Sequence, residues 1–268
     1  MNTTGRILDG HDRIRSSGAT AAPGPALLAF DTSTEQLSVV ASCSAGTLGS
    51  NGAGGALASA ALLPQVQALL ARLALPLAAL DAIAFGQGPG AFTGLRTSCA
   101  VAQGLAYGLG CPLLPIDSLL IVAEDARAQA GARAGESFDV AVAMDARMDE
   151  AYVARYRHTA AGWQTLQAPA LMSLAGLRCA WAEAPAPAWR AGSAWAAFGE
   201  RVASQPGAMQ FDREQDRAAA LGRLATAAWT AGAAIDPAAA LPSYLRDKVA
   251  QTTAERQAVR EARQAGQA

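Results

Sequence analysis

The chain has 268 residues, a formal net charge of -1 and 51% hydrophobic residues, enough to bury a sizeable core in one large domain or two modest ones. Strong RNA binding by this chain alone is not expected, because that affinity comes mostly from neutralising phosphates and no long basic run is present. Lys248 is the only lysine, which removes a P-loop lysine beside any glycine loop and a Schiff-base lysine in the body of the chain.

The first 25 residues are polar and lack the apolar segment of a signal peptide. They read as a disordered N-terminal extension, 1–25, and the expected location is cytoplasmic. Arg72 and Asp81 interrupt the longest apolar candidate, short of the run of about 18 residues that a membrane span needs.

Order is expected from Ala26. Leu27–Phe30 reads as a buried strand, Asp31-Thr32-Ser33-Thr34 as a polar turn and Leu37–Ser44 as the returning strand. Gly46–Gly55 is predicted to be a mobile glycine-rich loop. From Ser59 to Leu75, Leu62, Val66, Leu69 and Leu73 recur at helical spacing, Leu63 and Leu70 widen the stripe, and Pro64 must sit in the first turn or cause a kink. A core helix explains most such stripes. This one is broader than a single core contact requires.

Leu80–Gly110 is the centre of the pattern. Leu80–Phe85 reads as a strand, Gly86–Gly94 as a tight glycine loop, and Arg96–Leu109 as a helix with Thr97 or Thr93 as N-cap. Ala100, Gly104 and Gly108 are four apart, so they stack on one nearly bare helical face. Two interior glycines cost roughly 1 kcal/mol each relative to alanine, which a closely packed backbone would offset. Val101, Leu105 and Leu109 form a second stripe suited to the chain's own sheet. A helix with two packing faces implies two neighbours: its own core and another polypeptide.

Pro112–Ile116 reads as a strand, Asp117 or Ser118 as the cap of a helix over Leu119–Gln129, and Phe138–Met144 and Ala151–Arg157 as strands flanking Asp145. LLAFDTSTEQLSVVASC and AVAMDARMDEAYVARYR match in length and pattern, with Asp31 on Asp145 and Glu35 on Asp149. The repeat predicts two lobes of one design. A Pro/Ala segment (Glu183–Ala188), the run Arg190–Gly199 and a helix over Ala218–Ala234 follow. The charged tail beyond Ala250 reads as solvated. The expected organisation is a first lobe over 26–118 carrying the partner-binding helices, a second lobe over 119–240, and a C-terminal segment over 241–268.

A strand, a glycine loop and a helix N-terminus make an anion site in principle, so Asp31, Thr32, Ser33, Gly88 and Gly90 are a candidate, degenerate phosphate site. The loop fits neither the P-loop nor the dinucleotide spacing, and a purely structural turn explains it at least as well. Asp31 could face a hydrated magnesium ion or bond its own turn. The second turn, Ala146-Arg147-Met148, lacks the small hydroxyls. No metal site is expected, since His11 and His158 stand apart and Cys43, Cys99, Cys111 and Cys179 show no close spacing. No histidine lies near Ser33, Ser98 or Ser118, so a catalytic triad has no support.

LLAFDTSTEQLSVV, GQGPGAFTGLRTSCAVAQGLA, AMDARMDEAYVA and PSYLRDKVA together resemble, in the same order, the bacterial TsaB family, also called YeaZ. The similarity spans about Ala26 to Ala250. It implies a duplicated α/β chain of the two-lobed actin/Hsp70-like ATPase (ribonuclease H-like) fold, with no catalytic residues, cofactor or metal of its own. It further implies an accessory subunit of a TsaD-like transferase that forms threonylcarbamoyladenosine at position 37 of tRNAs, together with a TsaE-like ATPase. A homodimer is implied when the chain is alone, and tRNA is met only through the complex. The partner-facing residues would be Leu62, Leu63, Val66, Leu70, Leu73, Arg96, Thr97, Ala100, Val101, Gly104, Tyr107 and Gly108. The sequence departs from the family at Ala58–Ala61, Ala91, Thr97, Ser98, Gln103 and Ser193. An active ATPase or phosphotransferase of the same fold is the alternative, and a glycoprotease-like peptidase ranks last.

Overall fold

The computed structural model describes residues 24–132, 136–182, 184–202 and 207–246. Most of the expected extension and all of the tail beyond Ala250 lie outside the described residues. Strands β1 (Leu27–Asp31), β2 (Gln36–Cys43) and β3 (Gly46–Ala53) form an antiparallel meander, and β4 (Ala82–Gly88) and β5 (Leu113–Asp117) join it in parallel, in the order β3-β2-β1-β4-β5. A second sheet repeats this topology. Its members are β6 (Phe138–Asp145), β7 (Glu150–Thr159), β8 (Gly162–Ser173), β9 (Trp189–Ala191) and β10 (Met209–Phe211), in the order β10-β9-β6-β7-β8. The duplication read from the two aspartate-bearing hairpins is thus a duplication of whole sheets.

Helices sandwich each sheet. Strand β1 is buried along its length, as a central strand covered on both faces should be. Leu28 and Phe30 point toward α1 (Ala58–Arg72) and α2 (Phe92–Leu109), packing with Leu62, Val66, Cys99 and Ala102. Leu27 and Ala29 point the other way, onto Ala218, Leu221 and Leu224 of α6 (Arg217–Thr230). In the second sheet, α4 (Leu174–Ala182) and α5 (Ala194–Phe198) cover one face and α3 (Ser118–Gln129) the other.

The last helix of each half therefore crosses to the opposite half: α3 follows β5 but covers β6 and β7, while α6 follows β10 but covers β1 and β2. The two crossed helices pack against each other. Buried Glu124 pins the junction, accepting from Arg127 Nε at 2.8 Å, from Trp163 Nε1 at 2.9 Å and from Arg223 Nε. Burial works against its charge, yet the hydrogen bonds from the two guanidiniums hold it below the usual carboxylate value. Asp117 caps α3 by accepting from Leu119 N at 2.9 Å and takes the Tyr156 hydroxyl of β7 at 2.5 Å, so one carboxylate ends a helix and ties the halves together.

Two local expectations are corrected. Gly46–Gly55 is mostly strand β3, paired with all of β2; ladder hydrogen bonds override its poor strand composition, and its glycines admit close neighbours, Gly49 lying under Ala218. Helix α2 begins at Phe92 rather than Arg96, with Ala91 as an N-cap that makes no side-chain hydrogen bond, so neither Thr93 nor Thr97 caps it. The long edge strand β8 and helix α4 carried no clear periodic signal and were not anticipated.

Candidate functional site

A cleft of about 670 Å³ lies between the two hairpin turns, lined by Ser33, Glu35, Phe92, Asp145, Met148 and Arg217 among others. Asp31 ends β1 beneath it and is completely buried. Ser33 N donates to its Oδ1 at 2.6 Å, and Ser33 Oγ, Ser118 Oγ and Arg217 Nη2 reach its Oδ2 at 3.0, 3.4 and 2.6 Å. Arg217 is 1% exposed and also pairs with Glu214. Burial disfavours the guanidinium's charge, but the Glu214 and Asp31 carboxylates outweigh it and raise Arg217 above its ordinary value. Burial in turn pushes Glu214 up, with Arg217 opposing. The carboxylate that the sequence offered to a cation or phosphate already has a cation from its own chain.

The glycine loop is packed against the same turn. A Cβ on Gly86 would come within 2.3 Å of the Asp31 carboxyl carbon, one on Gly90 within 2.5 Å of Ser33 O, and one on Gly94 within 1.8 Å of Thr32 O. Gly88, at φ +117°, donates its N–H to Ser118 Oγ at 3.1 Å. Thr32 Oγ1 donates to Gly94 O at 2.6 Å, and Ala91 N to Ser33 O at 2.7 Å. Asp31, Thr32, Ser33, Gly88 and Gly90 are thus brought together, and each is engaged by its own chain: Asp31 and Ser33 with Arg217, Thr32 with Gly94 and Ser98, Gly88 with Ser118, and Gly90 against Ser33.

Across the cleft, Asp145 ends β6 at the matching position and accepts from Arg147 N at 2.7 Å. Its own N–H donates to Ser193 Oγ at 3.1 Å. Arg147, Met148 and Asp149 hold φ of 65°, 59° and 59°, a run of left-handed L-residues that costs roughly 1–2 kcal/mol per residue.

The second candidate surface is the outer side of α1 and α2. Nothing lies within 4 Å of a Cβ built on Gly104 or Gly108, and Ala100, Gly104, Gly108 and Tyr107 are exposed. Among the described residues no close backbone offsets the two glycines. Arg96 is exposed, with its guanidinium 3.8 Å over the Phe92 ring and its Nε donating to Tyr244 Oη at 3.1 Å. Thr97, Val101 and Leu73 are half-buried at the margin. Leu62, Val66 and Leu70 require correction: at 0, 1 and 4% exposure they face the first sheet, because the widened stripe is the core face of α1. The outward side of α1 is Ala60, Leu63 and Gln67. Arg217, Glu214 and Arg246 escaped the sequence reading of the site; only the PSYLRDKVA motif drew attention to any of them.

Fold and cleft together define a two-lobed, actin-like protein. A family model described as "TsaD: tRNA N6-adenosine threonylcarbamoyltransferase" matches residues 57–254. YeaZ from Pseudomonas aeruginosa superposes with a TM-score of 0.72 at 35% identity, covering 82% of this chain and 100% of that one. The tRNA threonylcarbamoyladenosine biosynthesis protein TsaB of Haemophilus influenzae is 40% identical over 126 residues, 47% of this chain. TsaB of Escherichia coli is 40% identical over 96 residues, 36% of this chain. The matches span 51% and 39% of those two relatives' lengths. The chain belongs to the TsaB/YeaZ family. Among the described residues no helix is long and apolar enough to cross a membrane.

Proposed function

We propose that this chain is a non-catalytic subunit that pairs with a TsaD-like transferase and supports formation of N6-threonylcarbamoyladenosine at position 37 of tRNAs reading codons that start with A. One observation carries the reading: the side-chain-free ridge of α2, with open space over Gly104 and Gly108, beside outward Leu63 and Tyr107 at 43 and 61% exposure. A bare ridge gives another helix the closest approach that a backbone allows, and two interior glycines weaken a helix that has no such neighbour. The names carried by the TsaB relatives supply the pathway. The engagement of Asp31 by Arg217 speaks against a nucleotide-hydrolysing role for this subunit. In this reading the reacting groups sit on the partner, a TsaE-like ATPase acts with the pair, and tRNA is met through the complex in the cytoplasm. The chain forms a homodimer over the same ridge when alone.

Co-purification from native extract should recover the TsaD-like protein. Gly104→Leu fills the ridge and should weaken the pair about 5- to 150-fold, the effect of overpacking by about 1–3 kcal/mol, while leaving the circular dichroism spectrum unchanged. Binding of the variant at wild-type affinity, measured by calorimetry, would refute the assignment.

A further inference from the structure

The residues after α6 join the two candidate surfaces. Gln103 Nε2 donates to Pro237 O and Ala240 O at 3.0 and 3.1 Å, Gln87 Nε2 to Leu241 O at 3.0 Å, and Ser243 N to Gln87 O at 2.8 Å. Tyr244 lies 4.8 Å from the Phe92 ring and accepts from Arg96. All of these anchors are on the first lobe. Two residues later Arg246 reaches the second lobe: its Nη2 donates to Ala146 O at 2.9 Å and pairs with Glu150 Oε2 at 2.6 Å, and its Nη1 lies 3.4 Å from Met148 Sδ. Ser243 through Arg246 also line the cleft. Residues 240–246 are therefore a strap with one end on the start of α2 and the other on the left-handed turn 147–149.

The strap's hold on the first lobe ends at Arg96, an exposed guanidinium with no carboxylate partner among the described residues. A carboxylate offered from outside competes with the Tyr244 hydroxyl, because a guanidinium binds a charged acceptor, often through two N–H groups at once, more strongly than a neutral hydroxyl. We propose that the strap couples the α2 face to the cleft: a partner carboxylate that takes Arg96 frees Tyr244, loosens Arg246 and lets the 147–149 turn relax. The identity of the trigger rests on the proposed function, whereas the coupling itself belongs to the chain alone.

Hydrogen–deuterium exchange on the isolated full chain tests it at the amides of 146–150. Arg246→Ala should raise exchange there about tenfold, and so should Tyr244→Ala, with β1 and β4 amides unchanged. Arg96→Ala, which stands in for a guanidinium taken by a partner, should do the same. The Tyr244→Ala/Arg246→Ala double variant should exchange no faster than Arg246→Ala alone, since both cut one strap. Exchange at 146–150 within about twofold of wild type in Tyr244→Ala, or additive effects in the double variant, would overturn the coupling. Because no partner is present, loss of complex formation in other assays bears only on the proposed function.

Discussion

Asp31 and Arg217 are 186 positions apart in sequence and 2.6 Å apart in space, both shut off from water. Removing one partner of such a pair strands the other charge, so Arg217→Met should cost roughly 3–5 kcal/mol, read from urea unfolding at neutral pH. Adding Asp31→Asn should restore part of that loss, since the two charges then leave together. A loss below about 1 kcal/mol in the single variant would place the pair among the weak surface kind. Periodicity located Asp31 at the end of a strand and left two readings of it open. Nothing local named its partner: Arg217 falls in a charged run, DREQDRAAA, just ahead of the helix expected over Ala218–Ala234. The half of the site that depends on local chemistry could be read from the residues, and the half made by a contact across the fold could not.

Helix α2 carries two kinds of glycine, and they should answer the same substitution with opposite signs. Gly94→Ala drives a methyl to within 1.8 Å of Thr32 O, a clash with backbone that only a shift of the turn relieves, and should lower stability by about 1–3 kcal/mol. Gly104→Ala meets open space and should raise it by about 1 kcal/mol through helix propensity. Thermal unfolding of the two variants, at dilution where the chain is monomeric, checks both signs; a loss of stability in monomeric Gly104→Ala would mean that the ridge is covered within a single chain. The bare face was legible because a four-residue spacing is a property of one helix. The purpose of Gly86, Gly90 and Gly94 was not, because what fills the space over them is the turn after β1. The leucines of α1 misled for a related reason. A broad apolar stripe gives the width of the buried face, and here a single sheet uses nearly all of it.

At the scale of the molecule, the repeated hairpin announced the duplication, and both sheets follow it in the same strand order. The exchange of α3 and α6 between halves left no such trace, since an amphipathic helix does not specify which of two similar sheets it covers. A fragment ending at residue 132 retains β1–β5, α1 and α2 but lacks α6, leaving Leu27, Ala29, Val40 and Ala84 without the helix that covers them. That fragment should show no cooperative urea transition, whereas the full chain should; a cooperative transition in the fragment would mean that the first lobe is self-sufficient.

The crossed helices also set an order of events at the ribosome. The sheet of β1–β5 leaves the exit tunnel with one apolar face bare, and it stays bare until α6 emerges. During that interval the bare face is open to the association that exposed apolar surface invites in an incompletely folded chain, and a copy terminated before α6 keeps it exposed.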